Sequence, residues 1–447
     1  MKKTNDSNKL ALHMLIAMVA GILVGLLFMS IRESMGADSA VWTTINNLLF
    51  QDITVAGAEK AIGLFYICGQ LFIKSLQLII VPMVFCSVVM AINEIREAVT
   101  LGRMAAKTMG WFMFTTTIAL TFAGAISLLC FKAGLFNVSV SEISVSNGST
   151  GSNPLNVILN IIPSNISAVF SVNNSVLSIV FIAVVVGLGL NALNINKEES
   201  FIYSLCQEIS KIIVVFLNFV VKTFGPVAIF MLLCRTFATY GIDYLKPALA
   251  YVIVCVTLLL GYLFVGYPIY IALICKLNPI KFIKKMSKVM LFGFSTSSSA
   301  ATLPLNMDTN TKELGVDNQI ASFVLPLGMT INMDGTAIMQ VVATLFIAGC
   351  SGYNVSIFQL IIIMLLALIA SMGTPAAPGA GAVILFTILS GVGFSGEQAL
   401  IAYSLILAIN RPIEMLVTSL NCTGDAVASM AVAKSEGKFN PEIYNHK

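Results

Sequence analysis

The chain has 447 residues, 57% of them hydrophobic and 10% charged, with a formal net charge of +4. Soluble domains carry about 25% charged residues, so this composition excludes an ordinary soluble protein and points to an integral membrane protein. The small net charge gives no reason to expect nucleic acid as a partner.

Apolar runs near 10–30, 64–92, 110–131, 176–194, 212–234 and 247–275 are long enough for the ~20 residues a spanning helix needs. The first follows MKKTNDSNK and is too long and continuous for a cleaved signal, so it is expected to be retained. Basic residues gather before the first run (Lys2, Lys3, Lys9) and after the second (Arg96, Arg103, Lys107). They gather again after the fourth (Lys197, Lys211) and the sixth (Lys276 to Lys288), while the alternate loops hold few. This bias predicts a multi-pass plasma-membrane protein with both termini cytoplasmic, and the short loops favour a bacterial inner membrane. A Ser- and Asn-rich stretch at roughly 136–167 separates the third and fourth runs, and its NVS, NGS and NIS triplets read as chance products of such a loop. The nine cysteines are scattered without CxxC spacing, and the only histidines, His13 and His446, lie near the termini. Neither a disulfide framework nor a His-based metal or catalytic site is indicated.

The pattern changes at residue 276. A basic, amphipathic lead-in precedes VMLFGFSTSSSAATLPLNM, an apolar piece too short to span and interrupted by Ser295–Ser299 and Pro304. Near 356–395, two apolar arms flank a Gly/Pro/Ala break at 371–381. Both read as re-entrant hairpins, whose irregular tips are tolerated at membrane depth only when buried in protein or lining a cavity. Paired interrupted segments of this kind point to a transporter binding site. The order is hairpin, helix with NMDGT, hairpin, helix with NCTGD, an approximate internal repeat.

Two carboxylates stand out. Asp334 lies in LPLGMTINMDGTAIMQVVATLFIAG and Asp425 in LVTSLNCTGDAVASMAVA, with no Lys or Arg within a turn or two in either segment. A charge at the bilayer centre costs about 2.5–3.5 kcal/mol on insertion scales, so each requires a partner. Gly328 and Gly335 allow local unwinding that frees backbone carbonyls to bind an alkali cation beside Asn332 and Asp334. Close helix packing accounts for such glycines equally well but leaves Asp334 unexplained. In the last helix Glu414, Thr418, Asn421 and Asp425 are spaced by four, three and four and form one stripe, about 16 Å long. The stripe suits a zwitterion at one end and a cation at the other; alternatively Arg411 and Glu414 neutralise one another as an internal ion pair. Ser295–Ser299 offers hydroxyls and half-helix N–H groups to a carboxylate, or simply a helix cap. Ser371, Gly373, Thr374, Pro375, Pro378, Gly379 and Gly381 suit a hinged flap or a plain kink. Thr115–Thr117 reads as helix packing or as hydroxyls facing a cation, and Pro82 as a kink.

Taken together, SSSAATLP, NMDGTA, GTPAAPGAG and NCTGDAVA resemble the dicarboxylate/amino acid:cation symporters, which include glutamate transporters and neutral amino acid exchangers. The resemblance covers nearly the whole chain and is most specific from 276 to 434. It implies an all-α polytopic fold of eight transmembrane helices and two re-entrant hairpins, a homotrimer, and an elevator motion of a transport domain against a trimeric scaffold. The implied organisation is six N-terminal helices in 1–275, a transport core in 276–434 and a tail in 435–447. Within the core, hairpin 1 covers about 279–310, helix 7 about 316–349, hairpin 2 about 355–395 and helix 8 about 397–434. Carried over residue by residue, sodium is bound by Gly328, Asn332, Asn421 and Asp425 at one site. The carbonyls of Thr330, Ser371, Met372 and Thr374 form a second, and Asp334 with Thr115, Thr116 and Asn332 a third. The solute touches Ser297, Ser299, Thr336, Ala377, Gly381, Glu414, Thr418 and Asn421, with hairpin 2 as the gate.

Three positions depart from the family pattern. Where acidic amino acid transporters place an arginine three residues after the amine-binding carboxylate, this chain has Val417, and that carboxylate is Glu414 rather than Asp. A tyrosine expected near Phe112 at the third sodium site is also absent. A second solute carboxylate would then lie unpaired near Glu414, an uncompensated buried charge, and Arg411 is nearly two turns away. The expected activity is therefore sodium-coupled symport or exchange of small neutral amino acids such as serine, threonine or alanine, with Val417 as an apolar wall. The alternative is sodium- or proton-coupled transport of a dicarboxylate or acidic amino acid. An intramembrane serine hydrolase lacks any core histidine, so no enzyme is expected; a passive channel is separated by accumulation against a gradient.

Overall fold

In a bilayer every backbone N–H and C=O must find its partner within the chain, which drives continuous apolar segments into helices. The computed structural model describes residues 2–36, 38–54, 57–100, 103–137, 162–171, 176–193, 200–241, 245–372, 374, 379–394 and 396–446. Among the described residues the structure is nearly all helical, with one isolated antiparallel bridge between Val316 and Phe439.

The first half comprises α1 (Lys2–Met35), α2 (Ala40–Leu49), α3 (Leu64–Leu78), α4 (Ile80–Thr100), α5 (Arg103–Lys132), α6 (Ile166–Phe170) and α7 (Val176–Ala192). It continues with α8 (Phe201–Phe219) and α9 (Gly225–Tyr240), joined through a π-helical turn at Val220–Phe224. A second such turn, Tyr262–Gly266, joins α10 (Leu245–Gly261) to α11 (Tyr267–Leu273). The second half is a series of broken helices: α12 (Pro279–Thr296) and α13 (Ser299–Lys312), then α14 (Asn318–Ile331) and α15 (Asp334–Cys350). After these come α16 (Ile357–Met372) and α17 (Ala380–Gly391), α18 (Glu397–Ile409) and α19 (Arg411–Ser435), and the short α20 (Pro441–Asn445).

Six stretches among the described residues are long and apolar enough to cross a membrane: Leu12–Met35, Leu64–Met90, Ala106–Lys132, Phe201–Tyr240, Lys246–Leu273 and Asn318–Cys350. The α18–α19 pair, bent by 69°, makes a seventh if taken as one span. The fourth apolar run forms the 17-residue α7, while residues 172–175 and 194–199 on either side lie outside the described residues. Most of the polar stretch 136–167 also lies outside them.

Burial shows where the centre is. Over an 18-residue window 94% of the Asn318–Cys350 stretch is buried, against 18% for Leu12–Met35, so α15 is the hub and α1 an outer helix. α15 packs against α5, α10, α16, α17, α18 and α19, which places the polar NMDGT segment amid protein rather than lipid. α1 packs on α9 and turns Leu12, Ile16, Val19, Leu23 and Leu27 outward.

Past α19 the chain folds back beneath α12 and α13. Asn440 caps α20 by accepting from the N–H groups of Glu442 and Ile443, and the buried Tyr444 donates its hydroxyl to the Asn278 carbonyl at 2.7 Å. Lys285 Nζ donates to the carbonyls of Glu313 (2.9 Å), Ile443 (3.2 Å) and Tyr444 (3.0 Å). One ammonium thereby joins α12, the end of α13 and α20. Beside it Glu436 pairs with Arg103 (2.9 Å) and Lys107 (2.6 Å) at the start of α5.

Hydrogen bonds to charged groups contribute about 1.5–3 kcal/mol. Lys285→Ala is therefore expected to lower the thermal unfolding midpoint of the detergent-purified protein by several degrees; an unchanged midpoint would refute the tie. The Arg103 hydrogen bond, followed by that of Lys107, holds the Glu436 carboxyl down to about 2 from its usual 4.5. A carboxyl depressed in the folded state contributes stability above its unfolded value and loses it only as pH falls through the folded one. The stability difference between the wild type and Glu436→Gln should accordingly stay flat from pH 9 to 5 and shrink below about 4.

Candidate functional site

α14 and α15 would be one 33-residue helix but for two residues. Asn332 (φ −90°, ψ 78°) and Met333 (φ −111°, ψ 51°) leave helical geometry, and Asp334 becomes the first residue of α15. A helix N-terminus favours an anion, so the break places the Asp334 carboxylate where backbone dipoles support it. The carboxylate is fully buried. Its Oδ1 accepts from Thr116 Oγ1 at 2.5 Å and lies 3.5 Å from Thr115 Oγ1, which is in turn 3.3 Å from Asn332 Oδ1. Its Oδ2 accepts from the Tyr267 hydroxyl at 2.9 Å. Thr117, by contrast, is exposed.

The second carboxylate is adjacent. Asn332 Nδ2 donates to Asp425 Oδ1 at 3.1 Å, so one amide touches both acidic clusters. Asp425 also lies against α14, because Gly328 has no side chain: a Cβ there would sit 2.5 Å from Asp425 Oδ1. Asn421 accepts from the Gly335 N–H at 2.8 Å and donates to Thr336 Oγ1 at 3.2 Å, tying α19 to the first turn of α15.

The stripe read from the sequence of the last helix is buried along its length: Glu414, Thr418, Asn421 and Asp425 are each at most 7% exposed. Thr418 Oγ1 donates to the Glu414 carbonyl, and Val417 is buried with its carbonyl close to Gly335. Glu414 Oε1 accepts from the Ala382 N–H at 3.4 Å, joining α19 to α17. Its Oε2 lies 3.5 Å from Arg411 Nη1, so the internal ion pair does form. Arg411 is nevertheless poorly served: it is 7% exposed, and its Nε and Nη1 have no hydrogen-bond partner. It lines a cavity of about 30 Å³ together with Phe72, Ile229, Gly379, Ala382 and Glu414.

The α12–α13 break brings Ser297 and Ser299 inside. Ser297 adopts a left-handed conformation (φ 49°, ψ 34°) rare for a residue with a Cβ, and its buried hydroxyl has no partner. Strain of this kind concentrates at ligand sites. The neighbouring Ser298 caps α13 by accepting from the Ala301 N–H, so the tip supplies a helix cap as well. Both arms lie on α19: Ser419 Oγ donates to the Met290 carbonyl (2.6 Å) and Asn306 Nδ2 to the Cys422 carbonyl (2.9 Å). At the other break, Ser371 and Thr374 turn their hydroxyls back to the Leu368 and Ala370 carbonyls, and Met372 is half-buried. What Ser371 and Thr374 would offer a ligand is backbone. Thr330 Oγ1 likewise bonds back, to the Leu327 carbonyl. Gly381 lies beside Thr336, whose Cγ2 would be 3.4 Å from a Cβ at that glycine. Ala377 lies outside the described residues.

The sequence reading passed over the tyrosines. Tyr262, Tyr267 and Tyr270 close the sixth apolar run, which reads as a plain span; their clustering was the available signal. The π-helical turn that aims them leaves no mark in hydropathy. Tyr251, which donates to Asn410 Oδ1 at 2.6 Å just before α19, was missed as well.

A family model described as the sodium:dicarboxylate symporter family matches residues 10–435. The chain is 29% identical over 446 residues to a proton/glutamate-aspartate symporter of Escherichia coli (strain K12), covering 98% of this chain and 95% of that protein. It is 28% identical over 382 residues to a proton/sodium-glutamate symport protein of Bacillus caldotenax, covering 84% and 88%. It is 28% identical over 383 residues to a C4-dicarboxylate transport protein of Bacillus subtilis (strain 168), covering 83% and 87%.

Gly328→Ala forces its new methyl into Asp425 Oδ1. Overpacking a tight interior costs about 1–3 kcal/mol, so this variant should unfold several degrees below the wild type. A neutral result would show that α14 and α19 can separate without loss.

Proposed function

Since the chain belongs to the sodium:dicarboxylate symporter family, we propose that it is a cation-coupled symporter whose solute is acidic, a dicarboxylate or an acidic amino acid. The chain is a multi-pass membrane protein of a family of symporters. The small neutral solute expected from Val417 gives way for two reasons. The relatives are named for glutamate, aspartate and C4-dicarboxylates. And a buried cation is present after all, supplied from the start of α19 rather than from position 417.

The observation that carries the reading is Arg411. A buried guanidinium whose Nε is unpartnered and whose Nη1 meets Glu414 only at 3.5 Å is under-satisfied, and a bidentate carboxylate would satisfy it. In this reading the distal carboxylate meets Arg411, and Glu414 takes a solute ammonium where there is one. Ser297, Ser299, Thr336, Gly381, Thr418 and Asn421 surround the rest.

The cation reading draws support from oxygen spacing. A hard cation with metal–oxygen distances of about 2.4 Å has octahedral edges of about 3.4 Å. The Thr115–Asn332 and Thr115–Asp334 separations of 3.3 and 3.5 Å match such edges, whereas Thr116, 2.5 Å from Asp334 Oδ1, is hydrogen-bonded to the carboxylate. Sodium is thus assigned to Asp334 with Thr115, Thr116 and Asn332, and to Asp425 with Gly328, Asn332 and Asn421. A further sodium is assigned to the carbonyls of Thr330, Ser371, Met372 and Thr374. Coupling follows from sharing: Asn421 serves both the Asp425 cation and the solute, so filling one biases the other. The α16–α17 break serves as the gate, and 276–434 moves as the transport core of a homotrimer with cytoplasmic termini.

The test is uptake into proteoliposomes of labelled aspartate, succinate and serine, under a sodium gradient and separately under a proton gradient. Accumulation of an acidic solute is expected, and Arg411→Ala should raise its KM about 10–100-fold, the equivalent of one charged hydrogen-bond pair. Uptake of serine alone, indifferent to Arg411→Ala, would sink the assignment.

A further inference from the structure

Tyr267 opens α11 immediately after the π-helical turn Tyr262–Gly266. Such single-turn departures from α-helical winding recur at functional sites, where they re-aim the side chains that follow. Here the phenol is fully buried and donates to Asp334 Oδ2 at 2.9 Å. Space has been kept for it. A Cβ at Gly424 would lie 2.3 Å from the Tyr267 hydroxyl and 3.1 Å from Asn332 Nδ2, so α19 approaches this junction with hydrogen alone. The neighbouring Tyr262 packs edge-on against Tyr267, ring centroids 5.0 Å apart, and donates to the Thr115 carbonyl at 2.7 Å. Tyr270 is one step further out, its hydroxyl 3.1 Å from that of Tyr262.

The two oxygens of Asp334 therefore have different duties. Oδ1 faces the hydroxyls of Thr115 and Thr116, on the side where Asn332 Oδ1 also lies, while Oδ2 is bound only to Tyr267 among the contacts described. A carboxylate turns easily about its terminal torsion, which is broad rather than staggered. Holding one oxygen fixes the other. We propose that Tyr267 is a positioning residue for cation binding, its hydroxyl anchoring Oδ2 so that Oδ1 stays within the oxygen cluster of Thr115, Thr116 and Asn332. This rests on the reading of Asp334 as a cation ligand. The hydroxyl reaches the site from α11.

Two measurements on the full-length protein test it. The first is the rise in unfolding temperature of detergent-purified protein as NaCl replaces choline chloride at constant ionic strength; the second is the sodium dependence of solute uptake at saturating solute. Tyr267→Phe keeps the ring and removes the hydroxyl. Its sodium midpoint is expected to move about tenfold higher in both measurements, with weaker discrimination of sodium from lithium. Tyr270→Phe, which removes a hydroxyl bonded to Tyr262, should leave the midpoint where it is. An unchanged or lower midpoint in Tyr267→Phe, an equal shift in Tyr270→Phe, or loss of fold by Tyr267→Phe in choline would each overturn the inference. A wild-type protein indifferent to sodium would overturn the cation reading of Asp334 itself, and this inference with it.

Discussion

A carboxylate inside an apolar bundle must be satisfied, and this chain satisfies two of them around one amide. Asn332 directs its oxygen toward the Asp334 cluster and its nitrogen to Asp425, and it can do so only because the helix is broken at that residue. The rest of the architecture follows from protecting that break. α15 lies at the centre because unpaired backbone is tolerated only within protein. α5 supplies the threonines, α11 the phenol and α19 the second carboxylate. Gly328 and Gly424 keep the helices close enough for those groups to touch.

The broken helices of the second half were legible because their breakers are composition-level signals: a run of serines at 295–299, a Gly/Pro cluster at 371–381, and polar NMDGT within apolar sequence. The stripe on the last helix was legible too, since helical spacing alone places Glu414, Thr418, Asn421 and Asp425 on one face. Residues that act across long sequence separations were not. Tyr267 meets Asp334 from 67 positions away, and Tyr251 meets Asn410 from 159. A tyrosine at the end of an apolar span looks like any membrane-interface aromatic. Only the three-dimensional arrangement shows that its hydroxyl faces inward.

Arg411 illustrates how a local reading misjudges charge. Counting along the helix, it stands too far from position 417 to replace an arginine there, and a neutral solute followed. In three dimensions it lies against Glu414 and lines a small cavity, its Nε without a hydrogen-bond partner. In the proposed reading the separation that matters is between guanidinium and solute rather than between Cα atoms.

The fold-back beneath α12 and α13 carries a consequence for biosynthesis. Lys285 bonds the carbonyls of residues 443 and 444, which lie 158 and 159 positions later. At ribosomal rates of about 5–20 residues per second, roughly 8–30 s pass between the emergence of the lysine and that of its partners. During that interval the base of the first helical pair is held by Glu313 without the segment that later covers it. A nascent chain thus inserts its helices before it can fasten them, and the fastening reports that translation has passed residue 444.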